Sequence, residues 1–103
     1  MTKATPGSRW KSAVCDTEAV VVRPASSGAL PECGGVAMVP IAEAKPEGAA
    51  IAAGFDGGSM MGKRYHDETT GMEALCTKAG LGTLGVEGRA FTLKEAKKLP
   101  SSD

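Results

Sequence analysis

Apolar residues in this chain come in short runs cut by turn-forming residues, a rhythm of strands and tight turns. Fourteen glycines and six prolines punctuate the sequence too often for long helices. The run Ala19-Val20-Val21-Val22, bounded by Glu18 and Arg23-Pro24, is short and β-branched, which predicts a buried strand. Ser26-Ser27-Gly28 reads as a turn and Ala29–Leu30 as the start of a return strand. Val36–Val39 is the next strand, with Pro40 placing its end at a sheet edge. The pattern resumes at Tyr65, with strands over Glu73–Thr77, Thr83–Val86 and Ala90–Leu93 separated by turns at 79–82 and Glu87-Gly88. Thr92 with Glu95 three residues on fits a capping box, predicting a short C-terminal helix over 92–99 or an extended tail.

These elements predict a mainly β protein made of two small antiparallel units. An N-terminal tail covers 1–9, a first unit 10–45, a Gly/Ala-rich connector 46–64, and a second unit with the C-terminal tail 65–103. Within the connector, Ala49-Ala-Ile-Ala-Ala53 suits either one helical turn or an extended apolar strip. The two units overlay. Trp10 falls on Tyr65, Glu18-Ala19-Val20 on Glu73-Ala74-Leu75, and Arg23 on Lys78; after a one-residue slip, Gly28-Ala-Leu30 falls on Gly82-Thr-Leu84 and Gly34 on Gly88. A second slip pairs Glu43-Ala-Lys45 with Glu95-Ala-Lys97. The pattern is that of an internal duplication with pseudo-two-fold symmetry, not of a solenoid, which needs more copies.

Composition narrows the functional classes. Twelve basic and twelve acidic residues cancel, and no basic stripe of the kind that neutralises phosphates is present, so no nucleic-acid partner is expected. No apolar run approaches the roughly 20 residues that span a bilayer, and residues 1–10 lack the apolar core of a secretory signal, so no membrane role is expected. Three widely spaced cysteines do not form a disulfide framework, which points to the reducing cytoplasm. Trp10, Phe55, Tyr65 and Phe91 are the only aromatic residues, so large core anchors are few.

The stretch Trp10-Lys-Ser-Ala-Val-Cys15, then Val20-Val-Val22, then Gly28-Ala-Leu-Pro-Glu-Cys33-Gly34, ending at Met38, resembles desulforedoxin. The same module forms the N-terminal iron-binding part of some superoxide reductases and belongs with small rubredoxin- and zinc-ribbon-like β folds. The resemblance implies an aromatic residue, a Cys-x-x-Cys knuckle, a strand, a glycine turn and a Cys-Cys-Gly step whose four thiolates hold one tetrahedral iron. Here the knuckle reads Ser12-x-x-Cys15 and the second pair Glu32-Cys33. In the overlaid second unit the ligand positions read Asp67, Thr70, Val86 and Glu87, with no thiolate. Soft thiolates select iron and zinc, so two alone hold such a metal poorly. The reading is a metal-free scaffold in which Cys15 and Cys33 pack as small hydrophobes. The alternative is an iron or zinc site using Cys15, Cys33 and Glu32.

Other chemistry is sparse. A site adding His66 and Cys76 lacks the spacing of a zinc knuckle, and Cys76, flanked by Leu75 and Thr77 within a strand, reads as packing. His66, beside Asp67 and Glu68, is expected in solvent. Gly80-Leu81-Gly82 and Gly57-Gly58 lack the strand and helix context of a phosphate loop. Met60 and Met61 in the connector, with Trp10, are the candidate partner contacts. No nucleophile has a nearby base, so the chain is not expected to be an enzyme.

The expected function is therefore that of a small non-catalytic accessory or interaction protein without a cofactor, docking to a larger protein subunit or forming a homodimer. The alternative is a metal-binding or electron-transfer protein using Cys15 and Cys33 with iron or zinc. A redox-sensing thiol protein requires those two cysteines to lie within disulfide reach.

Overall fold

The computed structural model describes residues 4–94. They form ten short strands and no helix: β1 (Arg9–Lys11), β2 (Glu18–Arg23), β3 (Pro31–Cys33), β4 (Val36–Ala37), β5 (Val39–Pro40), β6 (Arg64–His66), β7 (Glu73–Lys78), β8 (Leu84–Val86), β9 (Arg89–Ala90) and β10 (Thr92–Lys94). The mainly β reading holds. Thr92 lies in a strand and not at a helix N-cap, because it pairs with His66 across β10 and β6. Residues 95–99 of the expected helix lie outside the described residues.

Two antiparallel sheets carry the chain, and both read the same from either end. The larger has the order β10-β6-β7-β2-β1-β5 and the smaller β4-β3-β8-β9. Each unit supplies three strands to one sheet and two to the other, and the units meet at β2–β7 and β3–β8. At the first seam Ala19 pairs with Cys76, Val20 with Leu75 and Val21 with Ala74. At the second, Pro31 pairs with Val86, Glu32 with Gly85 and Cys33 with Leu84.

The seams correct the overlay of the second half. Cys33 corresponds to Val86 and Glu32 to Gly85, one residue earlier than the sequence comparison places them. The turns agree with this register: Gly34 and Gly35 have φ of 68° and 80°, and Glu87 and Gly88 have 52° and 76°. So do the strand breaks, where Met38 N–H donates to Pro31 O and Phe91 N–H to Leu84 O. Those breaks split the expected strands 36–39 and 90–93 into two each, as the chain passes from one sheet to the other. Ala29–Leu30 is not a strand; pairing begins one residue later, at Pro31. The strands β1 and β6, only three residues each, escaped the reading because so short a stretch has no visible period.

Side-chain alternation along β2 and β7 builds the core. Ala19 and Val21 point inward from β2, Ala74 and Cys76 from β7. The register shifts of this pair leave Val22 and Thr77 as the bulged residues, and both are exposed. This is why the third valine of an apolar run lies outside. Trp10, Met38, Tyr65, Met72, Leu84, Val86 and Phe91 are among the other members of the buried cluster. The connector is not loose. Residues 49–52 form neither helix nor strand, but Ala52 N–H donates to Gly34 O and Thr83 N–H to Phe55 O. A Cβ on Gly35 would fall 2.7 Å from Ala52 Cβ and 3.1 Å from the Phe55 ring, so the turn's second residue must be glycine for the connector to lie against it.

Candidate functional site

The turn after β1 places the chemistry. Ser12 N–H donates to Thr17 O, closing a loop in which Ser12 Oγ accepts the N–H groups of Val14 and Cys15 at 3.0 and 3.1 Å. With both lone pairs engaged, the Ser12 hydroxyl proton is left to face sulfur. Cys15 Sγ lies 3.2 Å from Ser12 Oγ and 3.2 Å from Thr17 Oγ1, and it accepts the Gly82 N–H at 3.3 Å. Cys33, entering from the end of β3, brings its Sγ to 3.7 Å from Cys15 Sγ. Ser12, Thr17 and Cys33 are fully buried, whereas Cys15 is partly exposed.

The second unit closes this site over the first. The loop 79–82 crosses the sulfurs, and it does so on glycine. A Cβ on Gly82 would meet Cys33 Sγ at 2.9 Å and Cys15 Sγ at 3.1 Å. One side stays open as a groove of about 420 Å³ lined by Val14, Cys15, Asp16, Ala79, Gly80 and Leu81. The 79–82 stretch is the turn expected from the sequence, without the context of a phosphate loop. The function of its glycines is steric.

The two sulfurs sit in different electrostatic surroundings. Burial pushes the Cys15 thiol up, but hydrogen bonds from Ser12, Thr17 and the Gly82 N–H outweigh it, leaving the thiol lowered to about 7. Burial pushes the Cys33 thiol up to about 12, with the Cys15 charge adding to it against the Ser12 and Thr17 hydroxyls. Cys15 is thus the more acidic sulfur of the pair, and Cys33 the one held as a thiol.

The donor set does not fit a four-thiolate metal. The sulfur separation does keep the edge of a tetrahedral thiolate site, about 3.8 Å for metal–sulfur bonds near 2.3 Å. The other corners are hydroxyls, and that of Ser12 already holds two backbone N–H groups. Glu32 is not a third ligand: it alternates with Cys33 on β3, and its carboxylate accepts the Gly88 N–H at 3.1 Å. Among the described residues no three His, Cys, Asp or Glu side chains converge to hold a metal ion.

His66 and Cys76 do not join the thiols as a ligand group. Cys76 is buried in β7, its S–H donating to Lys78 O at 3.2 Å, and burial raises its pKa. The expectation of a solvated His66 is corrected: its Nδ1 is buried without a hydrogen-bond partner. Trp10 is corrected too. It is 1% exposed, and its indole N–H donates to Ser8 Oγ, so it packs in the core and not at the surface. Met60 and Met61 are 51% and 68% exposed, as a contact surface requires, and the Ser59–Gly80 bridge ties their segment to the loop bearing Leu81, 72% exposed.

At the equivalent turn of the second unit, ionic chemistry stands where the first has sulfur. Asp67 Oδ2 accepts from Thr70 N–H and Oγ1–H, and Arg89 donates to both Asp67 oxygens at 3.0 and 3.3 Å. Arg89 first, then Thr70, outweigh burial and hold the Asp67 carboxyl down at about 2. A depressed carboxyl pKa stabilises the fold above its ordinary value of 3.8, and the gain is lost as pH falls from about 4 toward 2. Asp67→Asn should therefore lower stability by about 1–2 kcal/mol at pH 7. It should also flatten the acid limb; urea unfolding at pH 7 and pH 3 checks both.

Among the described residues, no helix is long and apolar enough to cross a membrane. No family model, curated protein or solved structure matches this chain.

Proposed function

We propose that this chain is a small, non-catalytic accessory protein of the cytoplasm that docks to a larger protein subunit. Its scaffold is a duplicated, desulforedoxin-like pair of units from which the metal site has been lost. The palindromic strand order and the matched turns support the duplication, and the hydroxyl and Asp67–Arg89 chemistry at ligand positions supports the loss. The observation that carries the docking role is the exposed apolar group of Met60, Met61 and Leu81 on segments joined by the Ser59–Gly80 bridge. A larger partner is favoured over a homodimer because the pairings a second unit would supply, β2 with β7 and β3 with β8, are already made within one chain. A partner that binds only the folded chain adds stability by mass action, which suits a small protein with four aromatic residues.

At native expression levels the chain should run on size exclusion in a stoichiometric complex with one larger protein. Met61→Ser with Leu81→Ser should release it as a monomer without changing its melting temperature. A wild-type chain that runs as a monomer overturns the proposal. Chelator should leave the melting temperature unchanged. A stoichiometric iron or zinc, removed by chelator with loss of fold, favours instead the metal-binding reading, which the 3.7 Å sulfur spacing supports.

A further inference from the structure

We propose that Cys15 and Cys33 form a redox-active dithiol that low-molecular-weight disulfides oxidise to an intramolecular disulfide, with Cys15 attacking first and Cys33 resolving. This goes beyond the docking role and does not depend on it.

Three features built from both units converge on this chemistry. The two sulfurs are in direct contact at 3.7 Å, the juxtaposition that disulfide formation needs. Three uncharged groups, the Ser12 and Thr17 hydroxyls and the Gly82 N–H, lie within hydrogen-bond reach of Cys15 Sγ. Access is one-sided. Cys15 lines the open groove beside Asp16 and Leu81, while Cys33 is fully buried behind it under Gly82. An incoming disulfide therefore reaches Cys15 alone, and only the resulting mixed disulfide brings a sulfur that Cys33 can attack.

The steps balance. Cys15 thiolate attacks one sulfur of RS–SR; a Cys15–SR bond forms, the RS–SR bond breaks, and RS⁻ leaves to take up the proton Cys15 released. Cys33 then attacks Cys15 Sγ; the Cys15–Cys33 bond forms, the Cys15–SR bond breaks, and the second RS⁻ leaves with the Cys33 proton. The two protein sulfurs together give up two electrons, and one disulfide becomes two RSH. A reversible bond of this kind suits a thiol switch in a reducing compartment.

The test equilibrates the reduced full-length chain, in chelator, with glutathione buffers from strongly reducing to strongly oxidising. Acid quenching, alkylation under denaturing conditions, intact mass and peptide mapping follow. The expected product is a single Cys15–Cys33 bond with Cys76 free, reversed by reduced glutathione. Early quenching should find glutathione on Cys15 and none on Cys33. Cys33→Ala should stop at one glutathione on Cys15, and Cys15→Ala should take up none while folded. The proposal is overturned by three free thiols in the most oxidising buffer, by a bond that involves Cys76 or a second copy, or by glutathione arriving first on Cys33. If Cys33→Ala does not fold, the early-quench map of the wild-type chain decides the order of attack.

Discussion

Trp10→Ala is expected to be the most damaging single truncation, costing about 3–5 kcal/mol in urea unfolding followed by circular dichroism. Trp10 is the largest of the fully buried side chains, and it belongs to a core cluster whose other fully buried members, among them Val21, Met38, Met72, Leu84 and Val86, are all smaller. Close-packed neighbours collapse only partly into the space an indole leaves, so the cavity term adds to the lost transfer energy. A domain of this size holds about 5–15 kcal/mol in all, which puts the variant near its folding threshold. Val22→Ala, at an exposed bulge, is the control and should change stability by less than about 1 kcal/mol. A Trp10→Ala cost no larger than that control would mean the ring does not organise the core. Should the alanine variant not fold, Trp10→Phe should show a smaller loss of the same sign.

Gly80→Ala should be the most damaging substitution at the thiol site, by about 3 kcal/mol, the upper end for overpacking. The added Cβ would collide with the Thr17 hydroxyl and sit 2.5 Å from Thr17 N, a backbone atom held in the Ser12–Thr17 turn. Relief requires the loop 79–82 to lift, which takes the Gly82 N–H away from Cys15 Sγ and opens the cover over Cys33. The substitution should therefore lower thermal stability and speed alkylation of Cys33 by iodoacetamide under native conditions. Gly28→Ala, where an added Cβ meets nothing although φ is +80°, separates the two causes. It carries the strain of a left-handed residue but should leave the thiols protected. Unchanged Cys33 protection in Gly80→Ala would show that the loop does not cover the sulfurs.

Much of the architecture was legible because its determinants are local. The β-branched run 19–22 and the Glu73–Thr77 run carry their own strand preference, and a glycine forced to positive φ at 34–35 marks a turn wherever the chain is placed. The knuckle spacing brought Ser12 and Cys15 together for the same reason: three residues apart, they are closed by one turn whose bonds lie within it. By itself the sequence determined a mainly β protein and the turn that holds Cys15. It did not determine the register of the second half, because Gly34–Gly35 and Glu87–Gly88 align equally well on either glycine until the β3–β8 pairing chooses. Nor did it decide between core anchor and partner contact for Trp10, since a lone aromatic near a terminus carries no periodicity. The site itself depended on distance in space. Cys33, 18 residues on, and Gly82, from the other unit, meet Cys15 only in the folded chain, and Glu32 turns away because strand alternation gives the inward face to Cys33. Whether two cysteines are inert packing or a dithiol with one open side follows from the approach of the 79–82 loop, 67 residues from Cys15, which only tertiary packing sets.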